Sequence, residues 1–241
     1  MSVGGAVRRV PTYVTGLDAR MGGGIPAGAV VLIEGGAGCL KSTLAYSILY
    51  QNAIRHQFHG LYITLEQSRH DLEEHMEGLG MSRSVQPDLE SKVAIVDLGE
   101  LRGFLSESGE SEAGTDWLKS ILKQIESYRE EFPLDVFVLD SLNALLSLHD
   151  KENPRVELFH FLRELKSHPM TSFLIYEGSG VEGWGKGSVD FLSDGIIRME
   201  AKRVDEVINM QLGVVKMRKT PHDRSFLPLI VRKGSLEVVG K

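Results

Sequence analysis

An alternation of short apolar runs with helical patterns constrains the fold of this chain more than any other feature of its sequence. The apolar runs occupy residues 29–35, 60–66, 92–98, 135–142 and 171–178. Helical patterns occupy residues 42–56, 68–80, 115–132 and 155–168, and Thr115 or Asp116 is well placed to cap the third of these. Continuous apolar strands that alternate with helices are typical of an α/β fold, in which helices cover both faces of a parallel sheet. Residues 194–219 and 225–239 differ, and they predict antiparallel strands at the edge of that sheet.

The size and composition of the chain favour one ordinary α/β domain, residues 1–241. Of its 241 residues 42% are hydrophobic and 25% are charged, and the formal net charge is −6. The acidic balance argues against a DNA coat or membrane-surface protein. No run approaches the roughly 20 apolar residues of a membrane span, and nothing at the start of the chain resembles a signal peptide. With a single cysteine no internal disulfide can form, and we expect a cytoplasmic protein.

Residues 34–43, EGGAGCLKST, join the first predicted strand to the first predicted helix. In a phosphate-binding loop, successive backbone N–H groups surround phosphate oxygens at the N-terminus of a helix. Lys41 would then bind the β- and γ-phosphates, Ser42 would bind Mg²⁺, and Thr43 would lie near the α-phosphate. The predicted ATP-binding residues of this loop are Gly35, Gly36, Ala37, Gly38, Cys39, Leu40, Lys41, Ser42 and Thr43. A glycine-rich turn with a chance lysine is the alternative, because the motif has glycine where Leu40 stands.

Two acidic residues end neighbouring apolar runs and complete the predicted site. Burial of Asp140 after VFVL is unfavourable unless the carboxylate faces a cation or hydrogen-bond donors. We therefore expect Asp140 to hold Mg²⁺ through water, opposite Ser42. Glu66 ends the run YITLE, and ligands in such sheets bind at the C-terminal ends of strands. We expect Glu66 to polarise the attacking water, and a glutamate that caps a helix or forms a salt bridge is the alternative.

Residues 12–45 resemble the opening of the KaiC-type ATPases of the RecA superfamily. The matching positions are Thr12, Gly16, Leu17, Asp18, Gly22–Gly24, Pro26 and Gly28, while Tyr13 replaces a glycine. YITLEQS resembles the strand that ends in paired glutamates in this family, with Gln67 in place of the second. FVLDSLNAL is similar to its Walker B segment, and SDGIIRME and residues 214–239 are similar to its closing strands. The resemblance covers residues 8–239 and implies a RecA-like P-loop fold.

The resemblance also implies that ATP lies between subunits of a ring, most simply a homohexamer. In such rings a Lys-x-Arg segment reaches the γ-phosphate of the neighbour, and Lys216 and Arg218 match it here. His222 matches a histidine near the neighbour's nucleotide, whereas Lys219 stands where the family has glycine. Two adjacent cations require an anion, and no acidic run lies next to them in the sequence, so a neighbour's triphosphate would supply it. A solvated face of an edge strand is the alternative for both cations.

Leu40 and Gln67 leave open whether hydrolysis is slowed or abolished. If the Leu40 position needs a glycine-like backbone, the strain is on the order of 1–2 kcal/mol, or about a 5–30-fold loss of affinity for ATP. The leading hypothesis is a slow regulatory ATPase, with a protein partner that the sequence does not identify. A non-hydrolysing nucleotide-gated scaffold, similar to the archaellum accessory protein, is the second. A recombinase-like DNA-binding protein is the third, but residues 178–190 offer Trp184 and Lys186 beside acidic residues, which is unfavourable for DNA.

Overall fold

The computed structural model describes residues 8–84, 87–107, 116–148, 154–178 and 192–240. The described strands are β1 Arg9–Val10, β2 Val14–Thr15, β3 Ile25–Pro26, β4 Val30–Gly35, β5 His59–Thr64, β6 Val93–Asp97, β7 Leu134–Asp140, β8 Thr171–Glu177, β9 Gly195–Val204, β10 Val207–Met217, β11 Leu227–Arg232 and β12 Ser235–Val238. The described helices are α1 Lys41–His56, α2 Arg69–Gly78, α3 Pro87–Lys92, α4 Leu98–Glu107, α5 Trp117–Glu131, α6 Leu142–Ser147 and α7 Pro154–Ser167, with a 3-10 turn at Asp18–Met21. In these residues no helix is both long and apolar enough to cross a membrane.

Ten of the strands form one sheet in the order β2-β12-β11-β10-β9-β4-β8-β7-β5-β6. The strands from β9 through β4, β8, β7 and β5 to β6 run parallel to one another. Strands β9 to β12 are antiparallel, and β2 pairs in parallel with β12 at the outer edge. The predicted α/β class, with a mostly parallel sheet and antiparallel C-terminal strands, is confirmed. Because β10 lies between β9 and β11, it is an interior strand and does not lie at the sheet edge.

Alternate residues of the central strand β4 pack into two separate hydrophobic cores. Val31 and Ile33 lie in the core that contains α1 and α2, whereas Val30 and Leu32 lie in the core that contains α5 and α7. All four side chains are fully buried, and each stabilises the fold by roughly 1.5–3 kcal/mol. Burial on both faces explains the apolar run of residues 30–33, and Glu34, which is also fully buried, is paired with Arg198 on the neighbouring strand β9.

The four predicted helices are present within two residues of their predicted ends. At the start of α5 the Asp116 carboxylate accepts the backbone N–H of Lys119 at 3.3 Å, so Asp116 caps this helix. Thr115 lies outside the described residues, as do residues 108–114 before it. Residues 179–191, with Trp184 and Lys186, also lie outside them.

Three short helices, α3, α4 and α6, were absent from the sequence prediction. In α4 the buried Leu101 and Leu105 have helical spacing, but the polar stretch that follows them obscures the pattern. The predicted strand 135–142 ends at Asp140, because Ser141 caps α6 by accepting the backbone N–H of Ala144 at 3.2 Å. The predicted strand 60–66 ends at Thr64. Glu66 therefore follows its strand in a turn.

Candidate active site

The loop 36–40 leaves the C-terminal end of β4 and enters α1. A Cβ atom on Gly35 would lie 2.3 Å from the Met199 carbonyl oxygen, so β9 approaches too closely for any other residue. Leu40 stands at the start of α1 with φ 65° and ψ 25°, in the left-handed region. The Lys41 ammonium donates to the Gly36 carbonyl at 2.7 Å, so this hydrogen bond spans the loop from its end at α1 to its first residue. The loop thus has the strand-to-helix context that a phosphate-binding loop requires.

This loop opens on a cleft of about 340 Å³ at the C-terminal end of the sheet. The cleft brings together seven residues of the predicted loop with both predicted acidic residues. Its lining consists of Ala37, Gly38, Cys39, Leu40, Lys41, Ser42, Thr43, Glu66, Gln67, His75, Asp140, Ser141, Ile175 and Glu177. The other two loop residues, Gly35 and Gly36, line an adjoining pocket together with residues 198–202.

Asp140 lies at the base of the cleft and is held there by a residue that the sequence analysis missed. The Tyr62 hydroxyl donates to Asp140 Oδ2 at 2.6 Å. Burial raises the pKa of Asp140, while hydrogen bonds from Tyr62 and Ser42 act in the opposite direction. Burial and the nearby Asp140 carboxylate raise the pKa of Tyr62 well above its usual value, so the phenol stays a donor. In the sequence, Tyr62 is a single aromatic residue within the apolar run GLYIT, and no motif marks it as a site residue.

Glu66 lies on the wall of the cleft in a turn of defined geometry. The Thr64 hydroxyl donates to the Gln67 carbonyl at 3.0 Å and closes the turn that carries Glu66. The Ser141 hydroxyl donates to Glu66 Oε1. Since Ser141 directly follows Asp140, one short segment positions both acidic residues.

A reciprocal pair of hydrogen bonds fixes the end of β8 beside the cleft. The Asn143 amide donates to the Glu177 carbonyl at 3.0 Å and accepts the Glu177 backbone N–H at 2.6 Å. The next residue, Gly178, donates its N–H to the Gly35 carbonyl at 3.2 Å. Glu177 therefore enters the lining as a third carboxylate, and no sequence motif indicated it.

Lys216 and Arg218 lie at the opposite end of the sheet from the cleft. Met217, between them, pairs with Gly195, which pairs with Val31 near the start of β4. The four residue-to-residue steps from Val31 to Gly35 span about 13 Å. The chain supplies both cations with acceptors, because Lys216 donates to the Ser193 carbonyl at 2.7 Å and Arg218 lies 3.2 Å from the Asp194 carboxylate. The expectation that their anion must come from another subunit is therefore wrong for Arg218.

His222 follows the same cationic segment and is separate from the cleft lining. Its Nδ1 lies 3.0 Å from the Thr220 carbonyl. Its Nε2 is buried without a hydrogen-bond partner among the described residues. The structure thus divides the predicted site residues into two groups, one in the cleft and one at the far end of the sheet.

The cleft residues fit a nucleotide triphosphate with Mg²⁺. Lys41 and the loop backbone supply donors for phosphate, while Ser42 and Asp140 supply the oxygen ligands that Mg²⁺ prefers. Within the described residues no group of three or more His, Cys, Asp or Glu could hold a metal ion. A site of one carboxylate and one hydroxyl fits Mg²⁺, which is commonly bound through few protein ligands plus substrate phosphates.

Comparisons with known proteins agree with this geometry. A family model described as the KaiC ATPase matches residues 10–241. The circadian clock oscillator protein KaiC 1 of Synechocystis is 25% identical over 237 residues, which cover 96% of this chain and 44% of that protein. The chain thus spans less than half the length of this clock protein. A UPF0273 protein of Thermotoga maritima is 30% identical over 241 residues, with 95% of each chain covered.

A solved structure supports the fold. The crystal structure of a KaiC-like protein from the hyperthermophilic archaeon Pyrococcus horikoshii superposes with a TM-score of 0.79 at 24% identity. The match covers 98% of this chain and 100% of that one. The RecA-like architecture predicted from the sequence is therefore confirmed.

Proposed function

The chain belongs to the KaiC family of ATPases, as its motifs predicted, and on this basis we propose that it binds ATP with Mg²⁺ and hydrolyses it slowly within a ring of identical subunits. The observation that carries the proposal is the convergence of Lys41, Glu66 and Asp140 on one cleft. These three residues come from three separate strand ends, and the order of the sheet brings them together.

The loop and the start of α1 bind the triphosphate. Backbone N–H groups of residues 36–40 surround the phosphates at the N-terminus of the helix, and Lys41 exchanges its bond to the Gly36 carbonyl for the β- and γ-phosphates. Ser42 and Asp140 hold Mg²⁺, which neutralises phosphate charge when it is bound. Thr43 lies next along the helix, toward the α-phosphate.

Glu66 polarises the water that attacks the γ-phosphorus. The bond from that phosphorus to the β-γ bridging oxygen breaks as the water oxygen bonds to it, and the water proton passes to Glu66 or to the phosphate product. The hydrogen bond from Ser141 fixes one carboxylate oxygen of Glu66. Gln67 stands in place of a second acid, so the site has one negative charge fewer. This difference supports the proposal that turnover is slow.

Lys216 and Arg218 act on the nucleotide of the neighbouring subunit. Both residues lie about 13 Å, measured in the direction of β4, from the start of the phosphate-binding loop in the same subunit. This distance is longer than their side chains can reach. A head-to-tail interface would bring this end of one subunit against the cleft of the next, and such an interface closes into a ring when the rotation permits. By this proposal the ring is a homohexamer of 1–241 domains in the cytoplasm, and His222 lies at the same interface.

The test measures nucleotide binding and assembly separately. Millimolar ATP with Mg²⁺ should raise the unfolding temperature of the wild type but not that of Lys41→Ala. Lys119→Ala, which removes an exposed lysine on α5, is the control and should respond as the wild type does. Light scattering should show an ATP-dependent rise in mass. An unchanged unfolding temperature, together with no binding of a fluorescent ATP analogue, would refute the nucleotide site.

A subunit-mixing experiment tests whether the cations act between subunits. Lys41→Ala lacks its own site and Arg218→Ala lacks the cation that it offers. In mixed rings some interfaces pair an intact site with an intact Arg218, so part of the turnover should return. No recovery in rings shown to exchange subunits would mean that Arg218 does not act on a neighbour.

A further inference from the structure

The cationic segment at the end of β10 contacts two consecutive residues, Ser193 and Asp194, which begin the segment SDGIIRME and to which the sequence assigned no role. Lys216 donates to the Ser193 carbonyl at 2.7 Å. The Arg218 guanidinium lies 3.2 Å from Asp194 Oδ1, and the Arg218 backbone N–H donates to the Asp194 carbonyl at 2.8 Å. Asp194 therefore contacts both the side chain and the backbone of Arg218.

Asp194 is itself held firmly by the centre of the sheet. Its Oδ2 accepts the Val30 N–H at 3.1 Å, and its own N–H donates to the Val30 carbonyl at 2.7 Å. Lys166 donates to Asp194 Oδ1 at 2.9 Å and also to the Leu192 carbonyl. One carboxylate oxygen thus serves two cations, while the other is anchored to the first residue of β4.

Exposure differs sharply between the two partners. The Asp194 side chain is 21% exposed and the Arg218 side chain is 51% exposed. A long arginine side chain has many rotamers in solvent, and an anchored carboxylate restricts them. Lys166, close by on the same carboxylate, would repel the guanidinium if Asp194 carried no charge.

Resting on the proposed function, we infer that Asp194 is a positioning residue for Arg218, which orients the guanidinium that each subunit offers to the γ-phosphate of its neighbour. The carboxylate does not contact the nucleotide. It acts through Arg218, and its effect must therefore appear in the active site of the adjacent subunit.

Asp194→Asn tests this role with little change of shape. The amide oxygen still accepts the Val30 N–H, whereas the negative charge beside Arg218 is lost. We expect kcat to fall roughly 10–100-fold, as for a modest misplacement of a catalytic group, with KM and the ring mass within about twofold of the wild type. Asp205→Asn is the matched control, because Asp205 is exposed in the β9–β10 turn at φ 55°, which asparagine tolerates, and its turnover should be unchanged.

Subunit mixing separates this role from a structural one. Asp194→Asn mixed with Lys41→Ala should regain turnover, because the first variant supplies intact sites and the second supplies well-oriented Arg218 side chains. Asp194→Asn mixed with Arg218→Ala should regain none, since both offer a defective Arg218. Recovery in neither mixture would place the effect of Asp194 inside its own subunit and overturn the inference, as would a rise in kcat for Asp194→Asn alone.

The reference mixture distinguishes this failure from failure of the proposed function. If Lys41→Ala and Arg218→Ala recover together but Lys41→Ala and Asp194→Asn do not, the ring stands and the role of Asp194 is refuted. If the reference mixture itself shows no recovery in exchanging rings, the action of Arg218 between subunits is refuted, and the role of Asp194 is refuted with it.

Discussion

Tyr62 donates a hydrogen bond of 2.6 Å to Asp140, and the two residues are 0% and 3% exposed at the base of the cleft. Burial raises the pKa of Asp140, because surroundings with little solvent disfavour its ionised form. A cation bound at the cleft would reverse this preference. Burial of the Asp140 charge therefore lowers the stability of the ligand-free protein, as is common at sites that bind a ligand.

Asp140→Asn should raise the stability of the ligand-free protein at neutral pH. A carboxyl whose pKa is higher in the folded chain contributes stability below its unfolded pKa, about 3.9, and loses it as pH rises through the folded pKa. The amide does not titrate. We therefore expect the variant to unfold at a higher temperature than the wild type at pH 7, by calorimetry without Mg²⁺ or ATP, and this advantage to shrink as pH falls toward 4.

The same variant should respond oppositely to ligand. ATP with Mg²⁺ should raise the unfolding temperature of the wild type and leave that of Asp140→Asn nearly unchanged. The difference between the two unfolding temperatures should therefore shrink or change sign. Asp205→Asn controls for the loss of one negative charge. A variant less stable than the wild type at every pH would show that hydrogen bonds outweigh the burial of the Asp140 charge.

Tyr62→Phe should weaken Mg²⁺-dependent turnover while leaving the phosphate-binding loop intact. The substitution removes the hydroxyl that orients Asp140, and loss of such a partner typically lowers metal affinity or activity about 10–100-fold. The free energy of unfolding should fall by roughly 1–3 kcal/mol, because a buried acceptor loses its donor. Phosphate release measured across a Mg²⁺ titration gives the shift. An unchanged Mg²⁺ requirement would mean that Tyr62 has a purely structural role.

Glu66→Gln should bind ATP as the wild type does and lose most of its turnover. Removal of a general base typically slows a reaction by about 10²–10⁴-fold, while glutamine still accepts the Ser141 hydroxyl. Steady-state phosphate release is the measurement, and Glu77→Gln, an exposed residue near the end of α2, is the matched control. If the wild type binds ATP but shows no turnover, the nucleotide-gated scaffold becomes the better description of the protein.

The strand-and-helix order and most of the cleft could be predicted because they follow local rules. The run AVVLIEG has to be buried on both faces, and EGGAGCLKST has to lie between that strand and a helix. Tyr62 and Ser141 escaped notice because a single hydroxyl in an apolar strand or before a short helix has no periodic signature. Only the pairing of β5 with β7 brings Thr64 opposite Asp140 and so places these groups together.

The surroundings of Lys216 and Arg218 could not be predicted for the same reason. Asp194 is 24 residues from Arg218 in sequence, and their contact depends on the pairing of β9 with β10. A search for acidic neighbours along the sequence does not find a partner across strands. Such pairing is set by the sheet as a whole and not by any local pattern.

Three of the positions where the family resemblance led us to expect glycine have a left-handed backbone in this chain. Tyr13, Leu40 and Lys219 have φ of 57°, 65° and 58°. The left-handed region disfavours side chains with a Cβ atom, by about 1–2 kcal/mol per residue. The chain therefore has a strained backbone at each of these three positions, including Leu40, the last residue before α1.

Leu40→Gly should relieve this backbone strain. Compared with Leu40→Ala, the relief should appear mainly as a higher free energy of unfolding. Both variants lose the same partly buried side chain, which packs against the core of α1, but only glycine relaxes the left-handed backbone. We expect glycine to exceed alanine by about 1 kcal/mol in the free energy of unfolding, after the entropy that glycine adds to the unfolded chain.

The bond from Lys41 to the Gly36 carbonyl holds the loop with its own atoms, so the strain is present in the free and bound loop alike and largely cancels from the affinity. ATP affinity of the two variants, measured by fluorescence with an analogue, should then differ by less than about fivefold, the lower end of the range that the sequence suggested. A large gain in affinity for glycine without a gain in stability would show that the loop leaves this conformation when ATP dissociates, and equal stability of the two variants would show that Leu40 stores no strain.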